Sequence, residues 1–458
     1  MATDLHDRLR DLAARTPSAS PPANLWDRGL RRHRATQVGR AVAAVVLVAL
    51  VGVGGWTWHE TRPVEPADTH GSAHVPDRFF YHLSPWTAGF DGPPGPLVTV
   101  LPSQRKTVFG SDEGLVGVTA SSGTYGFLDL PGDAALSPTL DAQFAISPDG
   151  RRLAFWTTGA PSGAPNTVLE NGLTLTGVAT YDTVTGQVRR THLTTGHGIA
   201  SRLLLWADND TLLFGYAQIL GRDGSENETT SHVAGTEVWD QPSGSPTLLP
   251  TDSLPTFADN FSTRATTGLV VSGSLSRTWW VLDPQQPARR VFRTDQQADL
   301  LVPSPDHRRV AAVPEQQNSN GGPLVIAALP GPGSHATVKF RTILDGQDWY
   351  RPLVWTDSDH VAALRGIEVH DPDGGPHIAG RIDLVDVRTG SSRPLVAEWG
   401  THGTNDSDTW LASGLLGAPV VHAHPPPTPT SPRLLLGICG VGLLVALFLW
   451  RATRGRRA

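Results

Sequence analysis

The feature that most constrains the fold is a hairpin pattern that recurs along the chain. Residues 144–157 read FAISPDGRRLAFWT, with apolar residues alternating on both sides of the Ser-Pro-Asp-Gly turn at 147–150. Pro at the second turn position and Gly at the fourth favour a type I turn, and a period of two gives each strand one buried face. Related copies end at Tyr216, Val313 and Leu364. The pattern therefore predicts antiparallel β-hairpins.

A second kind of hairpin lies between copies of the first. Its clearest copies are ATYDTVTGQV, around Asp182, and LVDVRTGS, around Asp386. Two hairpins make four strands, and a unit of roughly 50 residues has the size of one propeller blade. The two kinds alternate strictly in six pairs, at aligned positions 109, 129, 146, 182, 206, 240, 257, 283, 303, 328, 355 and 386.

These pairs predict an all-β protein whose main domain is a six-bladed β-propeller. Strand-like runs at 79–83, 97–101 and 410–416 fall outside the pairs. These runs either close the last blade or build part of a seventh, so a seven-bladed propeller stays open.

Composition agrees with this fold and excludes several kinds of site. The 458 residues include 48 Gly and 38 Pro, which favour turns over long helices. Lys106 and Lys339 are the only lysines, and no Gly-Lys-Ser or Gly-Lys-Thr step occurs, so a P-loop nucleotide site is excluded. Cys439 is the only cysteine, which excludes an internal disulfide and a cysteine-based zinc cluster.

Two apolar runs bracket the repeats. Residues 41–58 form a run of 18 residues without a charge, close to the length that crosses the hydrocarbon core of a bilayer. A cleaved signal peptide is the alternative, but Trp56 and Trp58 stand where a cleavage site needs small residues. The second run covers 434–450. We therefore expect transmembrane helices at 41–58 and 433–450.

The charges at the two ends predict the orientation of these helices. Residues 1–40 carry eight Arg and four Asp, and residues 451–458 carry four Arg and no acidic residue. Basic flanks stay in the cytoplasm, so both termini are expected there. Because these ends carry +8 and the whole chain carries −6, the rest of the chain carries −14. Such an acidic body offers no basic groove for a phosphate backbone, so we expect no nucleic-acid partner.

Together these features predict a plasma-membrane protein that crosses the bilayer twice and holds its propeller outside. The segment before the propeller lacks periodicity, and the segment after it is rich in proline. The expected segments are a cytoplasmic Arg-rich tail at 1–40, a transmembrane helix at 41–58, a linker at 59–76, an extracytoplasmic β-propeller at 77–416, a Pro-rich stalk at 417–432, a transmembrane helix at 433–450 and a cytoplasmic basic tail at 451–458.

The N-terminal tail has a helical pattern of its own. Leu5, Leu9 and Leu12 form an apolar stripe within residues 4–15, and Pro17 ends it. A helix this short is marginal in water on its own. The stripe therefore predicts docking, either on lipid headgroups or on a cytoplasmic protein.

The turn sequences resemble those of a known group of propellers. SPDGRRLAF, SPDHRRVAAV, YDTVTG and VDVRTG are similar to the turns of TolB-type and WD-repeat-like propellers of bacterial exported proteins. The likeness covers most of 77–416 and implies the fold, with no tested activity attached. The whole chain resembles the Arg-rich, propeller-bearing membrane proteins of actinobacteria. Its arrangement of tail, anchor and outer domain also resembles that of membrane anti-sigma regulators, which implies an RNA polymerase sigma factor as a partner to test.

The chain lacks the motifs of common hydrolases. No Gly-x-Ser-x-Gly elbow is present, and the His59-Glu60 step runs into Pro63 instead of continuing as a zinc-binding His-Glu-x-x-His helix. His422 and His424 are two residues apart, but no third metal ligand is evident nearby.

The acidic residues are interpreted as turn formers. The loop at 223–228 reads DGSENE and lacks the ligand spacing of an EF-hand. Asp357 and Asp359, like Asp371 and Asp373, fall on predicted turns, where aspartate bonds to its own backbone. We therefore predict no catalytic residue, no cofactor and no metal site, and we expect that the protein is not an enzyme. The ligand-binding residues stay unidentified.

Six tryptophans lie in or beside predicted strands. We expect their rings to fill the spaces between blades, the alternative being an aromatic platform for a sugar. Two of them are adjacent in one strand and must point to opposite faces, so at most one of the two could serve such a platform. The six are Trp156, Trp206, Trp239, Trp279, Trp280 and Trp355.

Three insertions occupy the same place in their repeats. They lie at 159–177, 219–236 and 365–380, each between the first and the second hairpin. Equivalent connections in a propeller emerge on the same side. Binding residues concentrate on loops that a rigid scaffold holds, so we predict that these insertions form a binding face.

The leading functional hypothesis is a membrane-anchored extracytoplasmic propeller that acts as a non-enzymatic protein- or ligand-binding module. Its expected partners are the lipid bilayer, an unidentified extracytoplasmic protein or ligand, and a cytoplasmic protein at the tail. The alternative is a transmembrane sensor or regulator of the anti-sigma type that acts through the cytoplasmic tail. A third hypothesis is a propeller enzyme acting on cell-wall sugars or lactones.

Overall fold

The structure is a computed structural model of the chain. The chain divides into two compact units, of which one combines residues 1–61 with 430–458 and the other spans 62–429. The residues that the structure describes are 2–15, 33, 72–80, 83–107, 110–136, 144–165, 174–220, 230–241, 244–249, 262–266, 268–273, 277–283, 286–314, 322–331, 336–344, 350–370, 376–400, 410–426, 429, 431, 433, 437, 440–442, 444–445, 447–448 and 451.

The first unit begins with a helix. Helix α1 spans Ala2–Arg15, which confirms the helix predicted for 4–15. Arg15 lies in its last turn, where a positive charge suits the helix dipole, and pairs with Asp11 at 2.8 Å on the exposed surface. Leu12 of the predicted stripe is 68% exposed.

Helical backbone is also present near the C-terminus. The described residues between Arg433 and Arg451 are helical, and Leu444 and Phe448 among them are exposed. Within the part of the chain that the structure describes, no helix is long and apolar enough to cross a membrane. The predicted span at 41–58 lies outside that part, and the second predicted span is described only at some positions.

Among its described residues, the second unit has β-strands as nearly all of its regular secondary structure, which confirms the all-β prediction. A 3-10 helix, Ser413–Gly417, precedes the last strand. The strands among the described residues are β1 Val75–Pro76, β2 Leu97–Lys106, β3 Ser111–Thr119, β4 Tyr125–Phe127, β5 Phe144–Ile146, β6 Arg152–Thr158, β7 Leu175–Asp182, β8 Val188–His192, β9 Ile199–Trp206, β10 Thr211–Ile219, β11 Thr230–Asp240, β12 Thr247–Leu248, β13 Ser262–Thr266, β14 Leu269–Gly273, β15 Thr278–Asp283, β16 Gln286–Thr294, β17 Ala298–Pro303, β18 Arg309–Pro314, β19 Leu324–Ala328, β20 Thr337–Val338, β21 Arg341–Leu344, β22 Tyr350–Trp355, β23 His360–His370, β24 Pro376–Asp386, β25 Ser392–Gly400 and β26 Val420–Val421.

These strands follow one another in antiparallel sheets, in chain order. We name them sheet 1 (β2–β4), sheet 2 (β5–β8), sheet 3 (β9–β12), sheet 4 (β13–β16), sheet 5 (β17–β19 with β21) and sheet 6 (β22–β25). Sheets 2 and 3 are linked by one backbone pair, Leu175 with Ile199. Successive small sheets of this kind are the arrangement expected of propeller blades.

Both predicted kinds of hairpin are present. The Ser-Pro-Asp-Gly turn joins β5 to β6 with Phe144 opposite Phe155. The Asp-x-x-Thr-Gly turn joins β7 to β8 and β24 to β25. In these turns the carboxylates of Asp182 and Asp386 accept hydrogen bonds from the backbone N–H groups two and three residues later. The predicted alternation of the two hairpins is confirmed in sheets 2, 3 and 6.

Sheet 1 departs from the prediction. Strand β4 ends at Phe127 and pairs with β3 through a turn at 120–124. The other edge of β4 is already hydrogen-bonded, because Phe90 N donates to the Phe127 carbonyl and Phe127 N donates to the Ala88 carbonyl, both at 3.0 Å. The hairpin predicted at position 129 is therefore wrong.

Sheet 5 also departs from it. We expected a tight hairpin of the second kind at position 328, but β19 pairs with β21 across a longer connection. Part of that connection is β20, which runs parallel to β16 of sheet 4. Pro330 has no N–H to give to a ladder, which disfavours a strand directly after β19.

The two ends of the second unit pair with each other. Strand β1 runs parallel to β26. Nearby, Thr99 of β2 forms a backbone bridge with Leu411, and its hydroxyl donates to the Trp410 carbonyl at 2.8 Å. The C-terminal segment thus adds to the free edge of sheet 1. Both β1 and β26 lie outside the bounds of 77–416 expected for the domain.

Six buried apolar clusters among the described residues lie between neighbouring sheets. Each cluster combines residues of two sheets, and one joins sheet 6 back to sheet 1. Both faces of each sheet are therefore buried, which explains the long apolar runs in strands such as β10. Representative members are Leu97, Phe144 and Phe155 between sheets 1 and 2; Trp156, Leu204 and Phe214 between sheets 2 and 3; Leu205, Val238 and Val270 between sheets 3 and 4; Val271, Trp279 and Leu301 between sheets 4 and 5; Val302, Trp355 and Val361 between sheets 5 and 6; and Val116, Val354 and Ile382 between sheets 6 and 1.

Candidate functional site

A pocket of about 270 Å³ lies between sheets 2 and 3, near the turns at one end of the strands. In sheet 2, Arg152 is opposite Asp182, and Thr180 is opposite Arg189. Residues opposite each other in antiparallel strands share a face, and so do residues two apart on one strand. These four side chains therefore stand on the face of sheet 2 that lines the pocket. The lining residues are Arg152, Thr180, Asp182, Gln187, Arg189 and Gln241.

The Ser-Pro-Asp-Gly turn positions Arg152. The Ser147 hydroxyl donates to Asp149 Oδ1 at 2.7 Å and accepts from Arg152 N at 2.9 Å. From this fixed start of β6, the Arg152 guanidinium reaches the first turn of sheet 3. There it donates to the Asn209 carbonyl and pairs with the Asp210 carboxylate at 2.7 Å. A local turn motif thus ties two neighbouring sheets together.

Gln241 forms the other wall of the pocket, directly after β11. Its backbone N donates to the Asp210 carbonyl at 2.9 Å, and its carbonyl accepts from Arg189 Nη1. Its side-chain Oε1 accepts the Thr180 hydroxyl at 2.7 Å. Three hydrogen bonds with three different residues therefore hold Gln241 in place.

One atom of Gln241 is left without a partner. The residue is 3% exposed, and its Nε2 has no hydrogen-bond partner among the described residues. Thr180 engages the oxygen of the amide, so both hydrogens of the NH₂ group stay unused. An unsatisfied buried polar group costs about 1–3 kcal/mol. A ligand oxygen at this position would remove that cost.

The charges around the pocket are unevenly matched. The Arg152 guanidinium has a carboxylate partner in Asp210. The Asp182 carboxylate accepts from the backbone N–H groups of Val184 and of the next residue, at 2.9 and 2.8 Å. Arg189, by contrast, donates to a neutral carbonyl. The pocket therefore offers a guanidinium and an amide NH₂ group as hydrogen-bond donors.

The predicted tryptophans pack between sheets as expected. All but one of the six are 0–4% exposed. Trp206 and Trp355 also donate through Nε1 to backbone carbonyls of the preceding sheet, at 3.0 and 2.9 Å. Trp280 is half-buried and stands on the face opposite its neighbour Trp279, so it is the only member of the six left for a surface role among the described residues.

The predicted turn role of Asp357 is confirmed. Its Oδ1 accepts from the backbone N–H groups of Asp359 and His360 at 2.7 and 2.9 Å. Burial raises the pKa of Asp357, but these N–H groups and the His360 ring outweigh it and hold the pKa below its usual value. Asp371, Asp373 and the acidic loop at 223–228 lie outside the described residues.

His422 and His424 lie beside the paired ends of the second unit. Their ring centroids are 5.6 Å apart, and His422 Nδ1 is 2.9 Å from Asp77 Oδ2. Burial raises the pKa of Asp77, but the hydrogen bonds from Ala423 N and His422 lower it by more. The pKa of Asp77 is therefore below its usual value. Within the described ranges no group of three or more His, Cys, Asp or Glu could hold a metal ion. Asp77 therefore serves to join β1 to the segment after β26.

The predicted binding loops are described only in part. Residues 159–165 turn back toward the segment before β9, where Ser162 N donates to the Thr195 carbonyl at 3.0 Å. His197 Nδ1 is 2.7 Å from the Ala164 carbonyl oxygen. The centres of all three insertions lie outside the described residues.

Sequence reasoning missed the pocket, although the sequence carries a signal for it. The second hairpin of sheet 3 starts its turn with Asp240-Gln241, whereas the same place in sheet 6 reads Asp386-Val387. An amide stands where the related repeat has an apolar residue. Comparing the repeats position by position would have marked Gln241 as unusual.

No protein-family model and no curated protein matches the chain. Among solved structures, the chain is similar to the acylaminoacyl peptidase of Pyrococcus horikoshii at 13% identity and a TM-score of 0.39, covering 65% of this chain and 43% of that one. It is similar to the β-propeller domain of the Trilobed protease from Pyrococcus furiosus at 13% identity and a TM-score of 0.38, covering 65% of this chain and 79% of that one. It is also similar to TolB from Acinetobacter baumannii at 14% identity and a TM-score of 0.35, covering 67% of this chain and 66% of that one. The resemblance to TolB-type propellers is thereby confirmed at the level of the fold.

The same comparison corrects one prediction. We expected that the protein is not an enzyme, but the similar structures include a peptidase and a domain of a protease. The missing Gly-x-Ser-x-Gly elbow excludes one nucleophile arrangement and not chemistry in general. The prediction that the protein is not an enzyme, which was drawn from its fold and its missing motifs, is therefore wrong.

Proposed function

We propose that the protein is a propeller-type binding module whose loop side contacts a partner protein. The observation that carries this proposal is the place of the three long insertions. They include the connections from β6 to β7, β10 to β11 and β23 to β24, which are the second and third strands of sheets 2, 3 and 6. The third insertion, at 365–380, is a correction to the predicted loop, because residues 365–370 and 376–380 are paired strand that lengthens β23 and β24. Equivalent connections share one side, and the buried clusters between the sheets supply the rigid support that a loop-borne site needs.

We also propose that the module has six blades. Sheets 2 to 6 would each be one blade, and sheet 1 with the bridge at Leu411 would be the remaining one. Support comes from the cluster that packs sheet 6 against sheet 1, because it makes the series of sheets cyclic. The pairing of β1 with β26 would then fasten the ring.

Photo-crosslinking tests the binding face. A photoreactive residue at Ala160, which is exposed on the loop side, should capture one protein of defined mass from intact cells. The matched control places the same residue at Thr185, exposed in a turn at the other end of the strands. The expected result is a partner band with Ala160 only. Equal bands from both positions, or a band from Thr185 alone, would refute a loop-side site.

For its location we propose a two-pass plasma-membrane protein with the propeller outside. Support comes from the uncharged runs at 41–58 and 434–450 and from the arginines that flank them. The exposed Leu444 and Phe448 suit contact with lipid. Reporter fusions after residue 35, near residue 230 and after residue 455 should report cytoplasm, outside and cytoplasm. A cytoplasmic signal near residue 230 would overturn the proposed topology.

The second candidate is a sensor or regulator that acts through the N-terminal tail. It is favoured by α1, whose Leu12 is 68% exposed. Changing Leu5, Leu9 and Leu12 together to Ser should abolish a crosslink to any cytoplasmic protein while membrane insertion persists. Replacing Arg10, which lies on the side of α1 opposite the stripe, with Gln is the control. An unchanged crosslink pattern in the triple variant would leave α1 without a signalling role.

A further inference from the structure

We propose that the pocket between sheets 2 and 3 binds a carboxylate, with the Arg189 guanidinium and the Gln241 side-chain amide as its donors. The pocket lies at the turn end of the strands, away from the loop side. The inference is therefore independent of the proposed loop-side partner, and either can fail without the other.

The junction between sheets 5 and 6 has the same backbone contacts as the junction between sheets 2 and 3. It therefore shows which side chains fill this place where no ligand is proposed. Gln241 N donates to the Asp210 carbonyl at 2.9 Å, and Val387 N donates to the Asp359 carbonyl at the same distance. Gln241 and Val387 therefore occupy equivalent places, one beside the junction of sheets 2 and 3 and the other beside that of sheets 5 and 6. Val387 is fully buried in the apolar cluster of its junction.

The surrounding residues correspond as well. Arg341 Nη2 donates to the Val387 carbonyl at 3.1 Å, as Arg189 does to the carbonyl in its own junction. Arg189 is opposite Thr180, and Arg341 is opposite Ile326. One backbone frame thus carries Thr and Gln in the first junction and Ile and Val in the second. The frame itself does not need the polar pair.

The polar pair is costly unless something binds it. Gln241 Nε2 is buried without a partner among the described residues, whereas the valine at the equivalent place has no such group. Residues that break a packing rule at a stability cost are typical of functional sites. The unused amide hydrogens and the Arg189 guanidinium mark the site as one for an acceptor.

A carboxylate fits this donor set best. A guanidinium presents paired N–H groups that match the two oxygens of a carboxylate, and such charge-assisted bonds are stronger than neutral ones. Asp182 and Asp210 would repel an anion near Arg152, which leaves the Arg189 side of the pocket for it. A volume of about 270 Å³ also leaves room for the remainder of a small acid or for the last residue of a peptide.

Calorimetric titration of the full chain tests the inference and distinguishes the two sources. The probes are propionate, the tripeptide Ala-Ala-Ala with a free carboxylate, and the same tripeptide with an amidated end. We expect binding of at least one free acid, and binding of the amidated peptide to be weaker by about tenfold or more, because the charge-assisted bonds are lost. Propionate alone would identify a small acid, and the free tripeptide alone or in preference would identify a peptide end.

Three variants assign the binding to the pocket. Arg189→Gln and Gln241→Val should each weaken binding of the free acid by about tenfold or more. Arg341→Gln, the matched control at the other junction, should bind like the wild type. Gln241→Val installs the side chain that the equivalent position already holds, and Arg189 is exposed, so both variants are expected to fold. No binding of either acid, or binding that survives Arg189→Gln and Gln241→Val, would overturn the inference.

Discussion

The junction of sheets 2 and 3 and the junction of sheets 5 and 6 are built on one frame and filled differently. In the first, Arg152 leaves a Ser-Pro-Asp turn and pairs with Asp210 of the next sheet at 2.7 Å. In the second, Arg309 leaves the related turn and lies 3.4 Å from Asp359. Arg309 also lies over the Trp355 ring, 5.2 Å from its centroid. The arginine is thus a repeated link between neighbouring sheets.

Two tryptophans also link neighbouring sheets, but they reach the preceding sheet, whereas the arginines reach the following one. Trp206 donates to the Ala145 carbonyl and Trp355 to the Val302 carbonyl, in each case a carbonyl of the preceding sheet. The links between sheets are conserved within the molecule, whereas the residues that fill the space behind them are not. The fold therefore requires the links, and the polar filling at one junction is free to serve another purpose.

The largest expected effect comes from removing the shared tryptophans. Trp206→Ala and Trp355→Ala should each lower the free energy of unfolding by about 3–5 kcal/mol, because each removes a large buried ring. Urea denaturation of the full chain measures this. Trp280→Ala is the control and should cost less than half as much, since Trp280 is only half-buried. A near-normal stability of either main variant would show that the two junctions do not share one frame.

A smaller effect is expected at the turns, where the two junctions differ. Gly150 has a φ of 73°, and a Cβ there would lie 2.0 Å from the Leu97 carbonyl oxygen. His307, at the same place in the other turn, has a φ of 55°. Gly150→Ala should cost about 2–4 kcal/mol, from left-handed strain of about 1–2 kcal/mol plus displacement of the Leu97 backbone.

The matched change in the other turn is His307→Gly. Glycine adopts positive φ without steric cost, so this variant should stay within about 1 kcal/mol of the wild type in the same urea experiment. If Gly150→Ala were as mild as His307→Gly, the close approach of Leu97 to the first turn would be wrong.

The smallest effect concerns acid sensitivity at the junction of sheets 5 and 6. The Ser304 hydroxyl holds the pKa of Asp306 below its usual value, and backbone N–H groups do the same for Asp357. A lowered folded-state pKa means that the unfolded chain binds more protons. The stabilisation is then present above the unfolded pKa of about 3.9 and is lost as pH falls through the folded value.

Asp357→Asn should therefore flatten the fall in Tm between about pH 5 and about pH 2, because one of these carboxylates no longer titrates. The Tm of Asp357→Asn at pH 7, compared with that of the wild type, gives the separate effect of removing the carboxylate charge. A pH profile parallel to that of the wild type would mean that Asp357 does not contribute to acid sensitivity.

The parts of the fold that the sequence predicted are those held by local contacts. The Ser147 and Asp182 side chains bond to backbone only a few residues away, so their turns are readable from short motifs. The helix α1 was readable for the same reason. The alternation of hairpins then indicated the repeat.

The parts that were missed depend on residues distant in sequence. The edge of β4 is taken by the segment around Phe90, and β1 pairs with β26 across more than three hundred residues. The pocket depends on Thr180 meeting Gln241 from another sheet. No motif scan finds such a pair, because the two residues lie in different repeats and meet only in the folded chain.

Exchanging the residues at positions 241 and 387 tests most directly whether the polar junction is kept for a ligand at a cost in stability. Urea denaturation of the full chain without added ligand would compare Gln241→Val and Val387→Gln with the wild type. We predict that Gln241→Val stays within about 1 kcal/mol of the wild type, because the gain from removing a buried unpartnered amide offsets the acceptor that the buried Thr180 hydroxyl loses. Val387→Gln should lose about 1–3 kcal/mol, because such an amide is created. A loss of stability in Gln241→Val as large as that in Val387→Gln would contradict this, since Gln241 would then be a structural residue.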